Sequence, residues 1–301
     1  MAKLRTTESR GLIERLFEIW FAGCAYLSVF VTFGIFGILI WESVPFFQQV
    51  SLAEFLGGRE WTPLFSEPRF GVQPLVLGTL MTTLIACGLA IPMGILVACG
   101  LSEFLGSRAR TFLKPILEVL AGIPSVIFGY FALLVVTPLF QKWDPEYPGF
   151  SLLAAGVTMS FMILPLIVSL TEESLQAVPS SLREASRALG ATQWETIWKV
   201  VLPSASSGVI SASILGVSRA LGETMVVALA AGQQPHWTLN PTEPAATMTA
   251  YMVQVALGDL PHGSLGYQTV FVVGLLLFLM TFFFNFWAMK LRQRMKHAWT
   301  L

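Results

Sequence analysis

Six blocks of apolar residues, each long enough to cross a lipid bilayer, constrain this sequence more than any other feature. A transmembrane helix takes about 20 mostly apolar residues. Soluble domains carry about 25% charged residues, whereas only 12% of these 301 residues are charged. The sequence therefore predicts an all-α membrane protein with six transmembrane helices. The blocks lie at roughly 19–41, 74–101, 112–139, 151–171, 206–231 and 268–290.

The basic residues are distributed unequally between the two sides of the membrane. Of the 18 Lys and Arg residues, fourteen fall before span one, between spans two and three, between spans four and five, or after span six. The other side holds only Arg59, Arg69 and Lys142, and Arg219 lies inside span five. Because cytoplasmic loops carry an excess of basic residues, we predict that both termini are cytoplasmic.

The chain then divides into four parts. Residues 1–18 form a cytoplasmic N-terminus whose apolar and charged residues alternate at helical spacing. This pattern predicts either an interfacial helix or an extension of span one. Residues 19–73 hold the first span and a long outer segment, residues 74–290 hold a core of five spans, and residues 291–301 form a cytoplasmic tail.

A second long outer segment, residues 232–267, is rich in proline and glycine and contains no Lys or Arg. Within it, the stretch from Ala245 to Leu257 predicts a helix too short to cross the bilayer. Irregular backbone at membrane depth needs protein or water around it. The short helix is therefore either re-entrant or lies across the mouth of a pore.

Composition and motifs argue against several classes of protein. The formal net charge is zero, so no basic surface for nucleic acid is expected. The three cysteines lie in apolar blocks without a CxxC pair, and no HExxH sequence occurs, so we predict no metal site. No glycine is followed by lysine, so the chain has no P-loop for ATP. We expect no cofactor to be bound by this chain.

The connection between spans four and five, residues 172–205, carries the most specific motif. It reads Glu184-Ala185-Ser186-Arg187-Ala188-Leu189-Gly190, followed after nine residues by Val200-Val201-Leu202-Pro203. This segment resembles the EAA motif of ABC importer permeases, with Ser186 replacing the second alanine and Val200 the isoleucine. The resemblance implies a type I, MetI-like permease in which this loop couples to a separate ATPase. The residues implied in coupling are Glu184, Ala185, Ser186, Gly190, Leu202 and Pro203.

The chemistry of these residues agrees with a docking helix. Glu184 complements the helix dipole early in the predicted helix, and the small residues that follow allow close approach to another protein. Gly190 is suited to end the helix. The alternative is an amphipathic loop helix without a partner.

Two charged residues, Arg219 and Glu223, lie near the middle of span five. An arginine at the centre of a bilayer costs about 2.5–3.5 kcal/mol on insertion scales. The i,i+4 spacing predicts that both side chains share one helical face and neutralise each other. The pair then either fixes helix register permanently or opens for an oxyanion, since guanidinium donors match phosphate oxygens. We favour the second interpretation because intramembrane charges mark transport paths.

Span five also carries a ladder of small residues four apart: Gly208, Ala212, Gly216 and Ala220. Such spacing permits close approach of helices in membranes. We therefore predict that span five lies at a helix–helix interface.

Two further stretches resemble the phosphate permeases of ABC importers. Residues 216–225, GVSRALGETM, resemble the GRALGETM stretch of PstC permeases, and residues 121–130, AGIPSVIFGY, resemble the AIPSVIYG element shared by PstC and PstA. The likeness extends from about Phe70 to the C-terminus. Met225 and the long first outer segment favour PstC over PstA.

This resemblance implies a phosphate-import permease subunit in the bacterial inner (plasma) membrane, forming half of the translocation path. Arg219 and Glu223 would be needed for phosphate movement, and Gly122 and Pro124 would kink span three beside the pore. The implied partners are a PstA-like permease, a PstB-like ATPase dimer that uses ATP and Mg²⁺, and a PstS-like phosphate-binding protein. The chain itself would not be an enzyme.

Four alternatives stay open at this point. Two are transporters: a PstA-type subunit, or a permease for another oxyanion. The third is an intramembrane enzyme that uses Arg219 and Glu223 as catalytic groups. The fourth is a membrane scaffold that docks the same partner but moves nothing.

Overall fold

The computed structural model describes residues 12–298, which form α-helices joined by loops and by three π-helical turns. The π-helical turns are Gly100–Phe104, Ala132–Val136 and Ile197–Val201. The α-helices are α1 Leu12–Gln49, α2 Leu52–Gly57, α3 Gln73–Cys99, α4 Ser107–Ala121, α5 Ser125–Phe131, α6 Thr137–Trp143, α7 Leu152–Gln176, α8 Ser180–Ala188, α9 Gln193–Thr196, α10 Leu202–Ser204, α11 Ser206–Leu221, α12 Met225–Ala230, α13 Met248–Ala256 and α14 Leu265–Ala298.

Five stretches are long and apolar enough to cross a membrane, and the bent pair Gln193–Ser204 and Ser206–Leu221 makes a sixth if it is counted as one span. The two helices of that pair meet at 74°. The prediction of an all-α, multi-pass membrane protein is confirmed. The five continuous stretches are Glu14–Gln49, Gln73–Phe104, Ser125–Trp143, Leu152–Gln176 and Leu265–Lys290.

The first span is a single long helix. α1 runs without interruption from Leu12 to Gln49, so residues 12–18 extend span one, as in the second of the two alternatives. The rest of the predicted interfacial segment, residues 1–11, lies outside the described residues. α1 packs against α14, where Phe36 and Phe278 have ring centroids 5.0 Å apart.

The third span differs from the prediction. Instead of one helix over residues 112–139, α4 ends at Ala121 and a new helix begins at Ser125. Pro124 precedes α5 in an extended conformation, with φ −56° and ψ 135°. Proline cannot donate a helical hydrogen bond and disfavours helical geometry in the residue before it. The membrane-crossing stretch accordingly starts at Ser125, and α4 is a separate helix.

α7 is the central helix of the bundle and packs between α3 and α11. Ile167 fills the space left by a glycine on each neighbour. A Cβ built on Gly94 of α3 would lie 2.7 Å from Ile167 Cγ2, and one on Gly216 of α11 would lie 2.8 Å from Ile167 Cδ1. A Cβ on Gly208 would overlap Ser174 of α7. The predicted helix–helix interface along the small-residue ladder is therefore confirmed.

The short helix predicted in the second long connecting segment is also present. α13 is largely buried against α3, α12 and α14. Its first backbone N–H, at Met248, donates to Thr79 Oγ1 of α3 at 2.9 Å. Tyr251 packs edge-on against Trp61, with ring centroids 5.2 Å apart. The helix is thus enclosed by protein, as irregular backbone near a membrane requires.

We predict that Gly208→Ala lowers the melting temperature of the detergent-purified chain, because the added methyl group overlaps Ser174. Overpacking of this kind costs about 1–3 kcal/mol. Gly88→Ala is the matched control, since a Cβ on Gly88 meets nothing within 4 Å. Alanine at Gly88 should be neutral or stabilising by up to about 1 kcal/mol. Equal melting temperatures for both variants would contradict the close packing of α7 and α11.

Candidate functional site

Arg219 lies in the last turn of α11, at about mid-depth of the bundle. Gly216, three residues earlier, meets Ile167, which lies near the middle of α7. The Arg219 side chain is exposed on the surface of the chain. With the side chains that the structure describes, those of residues 14–106 and 108–290, it makes no hydrogen bond and no ion pair. An arginine at this depth requires water or a protein partner, and this chain supplies no side-chain partner from its described residues.

The predicted same-face pair of Arg219 and Glu223 is wrong. α11 ends at Leu221, and Gly222, Glu223 and Thr224 form a break before α12. The Glu223 carboxylate turns forward instead, and accepts hydrogen bonds from the backbone N–H groups of Met225 at 3.2 Å and Val226 at 3.4 Å. These are orphan donors of a helix N-terminus, which a side-chain acceptor satisfies. Glu223 therefore caps α12 rather than neutralising Arg219.

Two interhelical hydrogen bonds hold the break in place. Thr249 of α13 donates from Oγ1 to the Glu223 main-chain oxygen at 2.7 Å. Ser218, next to Arg219, donates to Asn285 Oδ1 of α14 at 2.6 Å. The backbone on both sides of Arg219 is thus fixed by neighbouring helices, while its side chain is not.

The segment with the EAA-like motif forms a helix, a turn and a second helical stretch. Glu184, Ala185 and Ser186 lie in α8, Gly190 lies in the turn, and Leu202 and Pro203 lie in α10 just before the 74° bend. Glu184, Ala185 and Gly190 are exposed. Gly190 has φ +85°, a left-handed conformation that glycine adopts at the ends of helices. Ser186 and Thr196 share a hydrogen bond of 3.0 Å between their hydroxyl groups.

Gly122 and Pro124 flank the break between α4 and α5, as the cap residues of the two helices. The interruption is complete rather than a kink. A position of this break beside a pore stays a prediction.

The sequence analysis did not identify the ion pairs of two acidic residues, Glu103 and Glu172. Arg183, the residue before Glu184, forms an ion pair with Glu103 at 2.8 Å. The buried Glu172 near the end of α7 lies 3.3 Å from Arg110 Nε and 3.4 Å from Lys114 Nζ, both on α4. In the sequence, each of these acidic residues follows an apolar block. That position suggests a need for a basic partner but does not identify which residue it is.

Comparison with known proteins gives the family. Residues 90–297 match the family described as the binding-protein-dependent transport system inner membrane component. The chain belongs to this family. Its members are permease subunits of ABC importers, and the type I permease class predicted from the sequence is confirmed.

The similar curated proteins include phosphate permeases. The chain is 36% identical over 247 residues to the probable ABC transporter permease protein YqgH of Bacillus subtilis, covering 82% of this chain and 80% of that protein. It is 32% identical over 254 residues to the phosphate transport system permease protein PstC of Xylella fastidiosa (strain Temecula1), covering 78% and 76%. It is 31% identical over 306 residues to PstC of Haemophilus influenzae, covering 93% of each. The predicted similarity to PstC permeases is confirmed.

Solved structures of ABC importers share the fold. A chain of a bacterial importer of the acidic polysaccharide alginate superposes with a TM-score of 0.65 at 16% identity, covering 94% of this chain and 98% of that one. A chain of the inward-facing MetNI methionine transporter gives 0.54 at 21% identity, covering 75% and 94%. These likenesses confirm the MetI-like fold.

We predict that Glu223→Ala lowers the free energy of unfolding of the chain by about 1 kcal/mol, the usual effect of losing a helix cap. Glu223→Gln keeps an oxygen acceptor without the charge, so it should retain most of that stability. The measurement is thermal or denaturant unfolding in detergent. Equal destabilisation by both variants would show that the charge, and not the cap, is what matters.

Proposed function

We propose that this chain is a permease subunit of an ATP-driven importer of inorganic phosphate in the bacterial inner membrane. The observation that carries the proposal is Arg219, an exposed guanidinium without a partner in the described chain at mid-depth of the bundle. Exposure of this side chain in the isolated subunit suits a path shared with a second permease, here a PstA-like subunit. The similarity to PstC permeases supports phosphate as the substrate.

The geometry suits transient binding of an oxyanion. Because Glu223 is engaged in capping α12, an arriving phosphate does not have to displace a carboxylate from Arg219. The guanidinium offers parallel donors to two phosphate oxygens. Neighbouring hydrogen bonds fix the backbone but leave the side chain free. Binding is then strong enough to attract the anion, yet limited to one charged group that can release it.

The energy would come from a partner. α8 presents Glu184 and Ala185 at the surface, and Leu189, which follows its last residue, has a side chain that is 90% exposed. We infer that this surface docks a PstB-like ATPase dimer, where ATP and Mg²⁺ are used. The distribution of Lys and Arg supports a cytoplasmic location for α8 and for both termini. A PstS-like protein would then deliver phosphate to the opposite end.

The decisive experiment is ATP-dependent uptake of labelled phosphate by proteoliposomes that contain the complete complex. Arg219→Ala should reduce uptake about 10- to 100-fold, because a hydrogen bond to a charged group contributes about 1.5–3 kcal/mol. Arg219→Lys should fall in between, since lysine keeps the charge but not the fork. Arg69→Ala is the control, because Arg69 is an exposed arginine outside the predicted spans. Normal uptake by Arg219→Ala complexes would exclude this site.

The same proteoliposomes separate the alternatives. Competition by phosphonate, sulfate or molybdate that exceeds competition by phosphate would indicate another oxyanion. Unchanged phosphate flux in complexes without this chain would indicate a scaffold. Turnover of a lipid or peptide by the purified chain, without ATPase, would indicate an enzyme.

We also predict that a cysteine at Leu189 reacts with an impermeant maleimide only from the cytoplasmic side. The label should be blocked when the ATPase is bound, because the partner covers α8. A cysteine at Asp259, which is also exposed, should react only from the outside. Native cysteines are replaced by alanine in both variants. Labelling of Leu189→Cys from outside would reverse the proposed orientation.

A further inference from the structure

Arg183 attaches α8 to the ends of two membrane-spanning helices. Its Nε donates to both carboxylate oxygens of Glu103 at 3.1 Å, and its Nη2 donates to Glu103 Oε1 at 2.8 Å. The same guanidinium donates to the main-chain oxygens of Val178 at 2.5 Å and Leu175 at 2.7 Å. One side chain thus joins α8 to the turn that follows α3 and to the end of α7.

Glu103 is held from a second side as well. The Gln193 side-chain amide of α9 donates to the Glu103 main-chain oxygen. The hydrogen bonds between the Arg183 guanidinium and the Glu103 carboxylate are called the fork below. The side chains of Arg183 and Glu103 are only 16% and 5% exposed, so water screens their ion pair little, and the paired hydrogen bonds fix the orientation of the two groups. α8 and α9 therefore both attach to one residue at the end of α3.

Little else attaches α8 to the bundle. No residue of α8 is buried, and an open groove of about 550 Å³ is lined by α8 together with the stretch that leads to α11. The residues around the groove include Leu182, Ala185, Ser186, Leu189, Ala191 and Val200. Besides the hydrogen bonds of Arg183, the side-chain hydrogen bond that joins α8 to another described element is that of Ser186 with Thr196. A polar fork, rather than apolar packing, is the principal attachment.

Glu103 lies in a π-helical turn, Gly100–Phe104, in which the Leu105 N–H reaches back to the Gly100 oxygen at 3.1 Å. Such turns interrupt α-helical hydrogen bonding and are frequent at functional sites. The turn is continuous with α3, so a pull on Glu103 acts directly on the second span.

We propose that Glu103 and Arg183 are positioning residues that transmit displacement of α8 to α3 and α7. This inference rests on the proposed function. α8 has a covalent route to α11, through the 74° bend. The hydrogen bonds of Arg183 add a second route, to α3 and to α7, the helix that carries Ile167. Movement of the ATPase then reaches α3, α7 and α11 together, which opens or closes the path beside Arg219 as a unit.

The test compares phosphate uptake with ATP hydrolysis in proteoliposomes of the complete complex. Arg183→Ala and Glu103→Ala should leave assembly and ATP hydrolysis in place while phosphate moved per ATP falls about 5- to 150-fold, the usual range of coupling between sites. Arg183→Lys and Glu103→Asp should lose less. Lys199→Ala is the matched control, since it removes an exposed ion pair within the same loop, with Glu195 at 3.1 Å. It should stay fully coupled.

A covalent link should replace the fork. In a background with Cys24, Cys87 and Cys99 changed to alanine, the double variant Glu103→Cys, Arg183→Cys should be uncoupled. A flexible thiol crosslinker should restore phosphate uptake per ATP, which a role in folding alone would not produce.

Several results would overturn the inference. One is unchanged phosphate uptake per ATP in the alanine variants, and another is a proportional fall of uptake and ATP hydrolysis. If the alanine variants fail to assemble, full coupling in Arg183→Lys and Glu103→Asp overturns it. Absence of phosphate uptake by the unmodified complex would instead contradict the proposed function. If phosphate uptake requires Arg219 but stays fully coupled to ATP hydrolysis in the Glu103 and Arg183 variants, only this inference is contradicted.

Discussion

The close approach of three helices around Ile167 is the constraint on which the rest of the structure depends. In a bilayer, apolar side chains gain little by leaving lipid, so helices associate through tight packing and polar contacts. Gly94 and Gly216 allow that packing, because each leaves room for part of the same isoleucine. The resulting contact sets the depth and rotation of α11. It thereby turns the small residues of α11 toward α7 and leaves Arg219 on the exposed side.

The break after α11 separates two roles that the sequence places close together. α11 ends before Gly222, and the Glu223 carboxylate caps the start of α12. The acidic side chain therefore binds backbone N–H groups. Arg219 is left without an internal counterion in the described chain. A permanently neutral pair would bind an anion poorly, because the carboxylate would compete for the same donors. Separation of the two charges is what makes an oxyanion site physically reasonable.

Much of this architecture could be predicted from the sequence because its determinants are local. Hydropathy located the spans, and the four-residue spacing of Gly208 and Gly216 located an interface. Three features could not be predicted. The first is whether Glu223 continues α11 or caps α12. The outcome depends on where α11 ends, here before Gly222, and on a hydrogen bond from Thr249 of another helix to the Glu223 main-chain oxygen.

The fork of Arg183 and Glu103 joins residues 80 positions apart. Nothing in the local pattern around either residue identifies the other, since both lie in ordinary polar segments at the ends of apolar blocks. Likewise, hydropathy averaged over residues 112–139 concealed the break at Pro124. Averaged hydropathy reports how apolar the side chains of a segment are, whereas proline interrupts a helix through its effect on backbone hydrogen bonding.

The pairing of α1 with α14 has a consequence for biosynthesis. α1 is synthesised before α14 but packs mainly against it, so α1 must stay in lipid, or against another protein, until α14 has been inserted. Its apolar surface is exposed over most of its length, which makes such waiting tolerable. Premature termination before α14 would leave an inserted but unassembled protein, a natural substrate for membrane quality control.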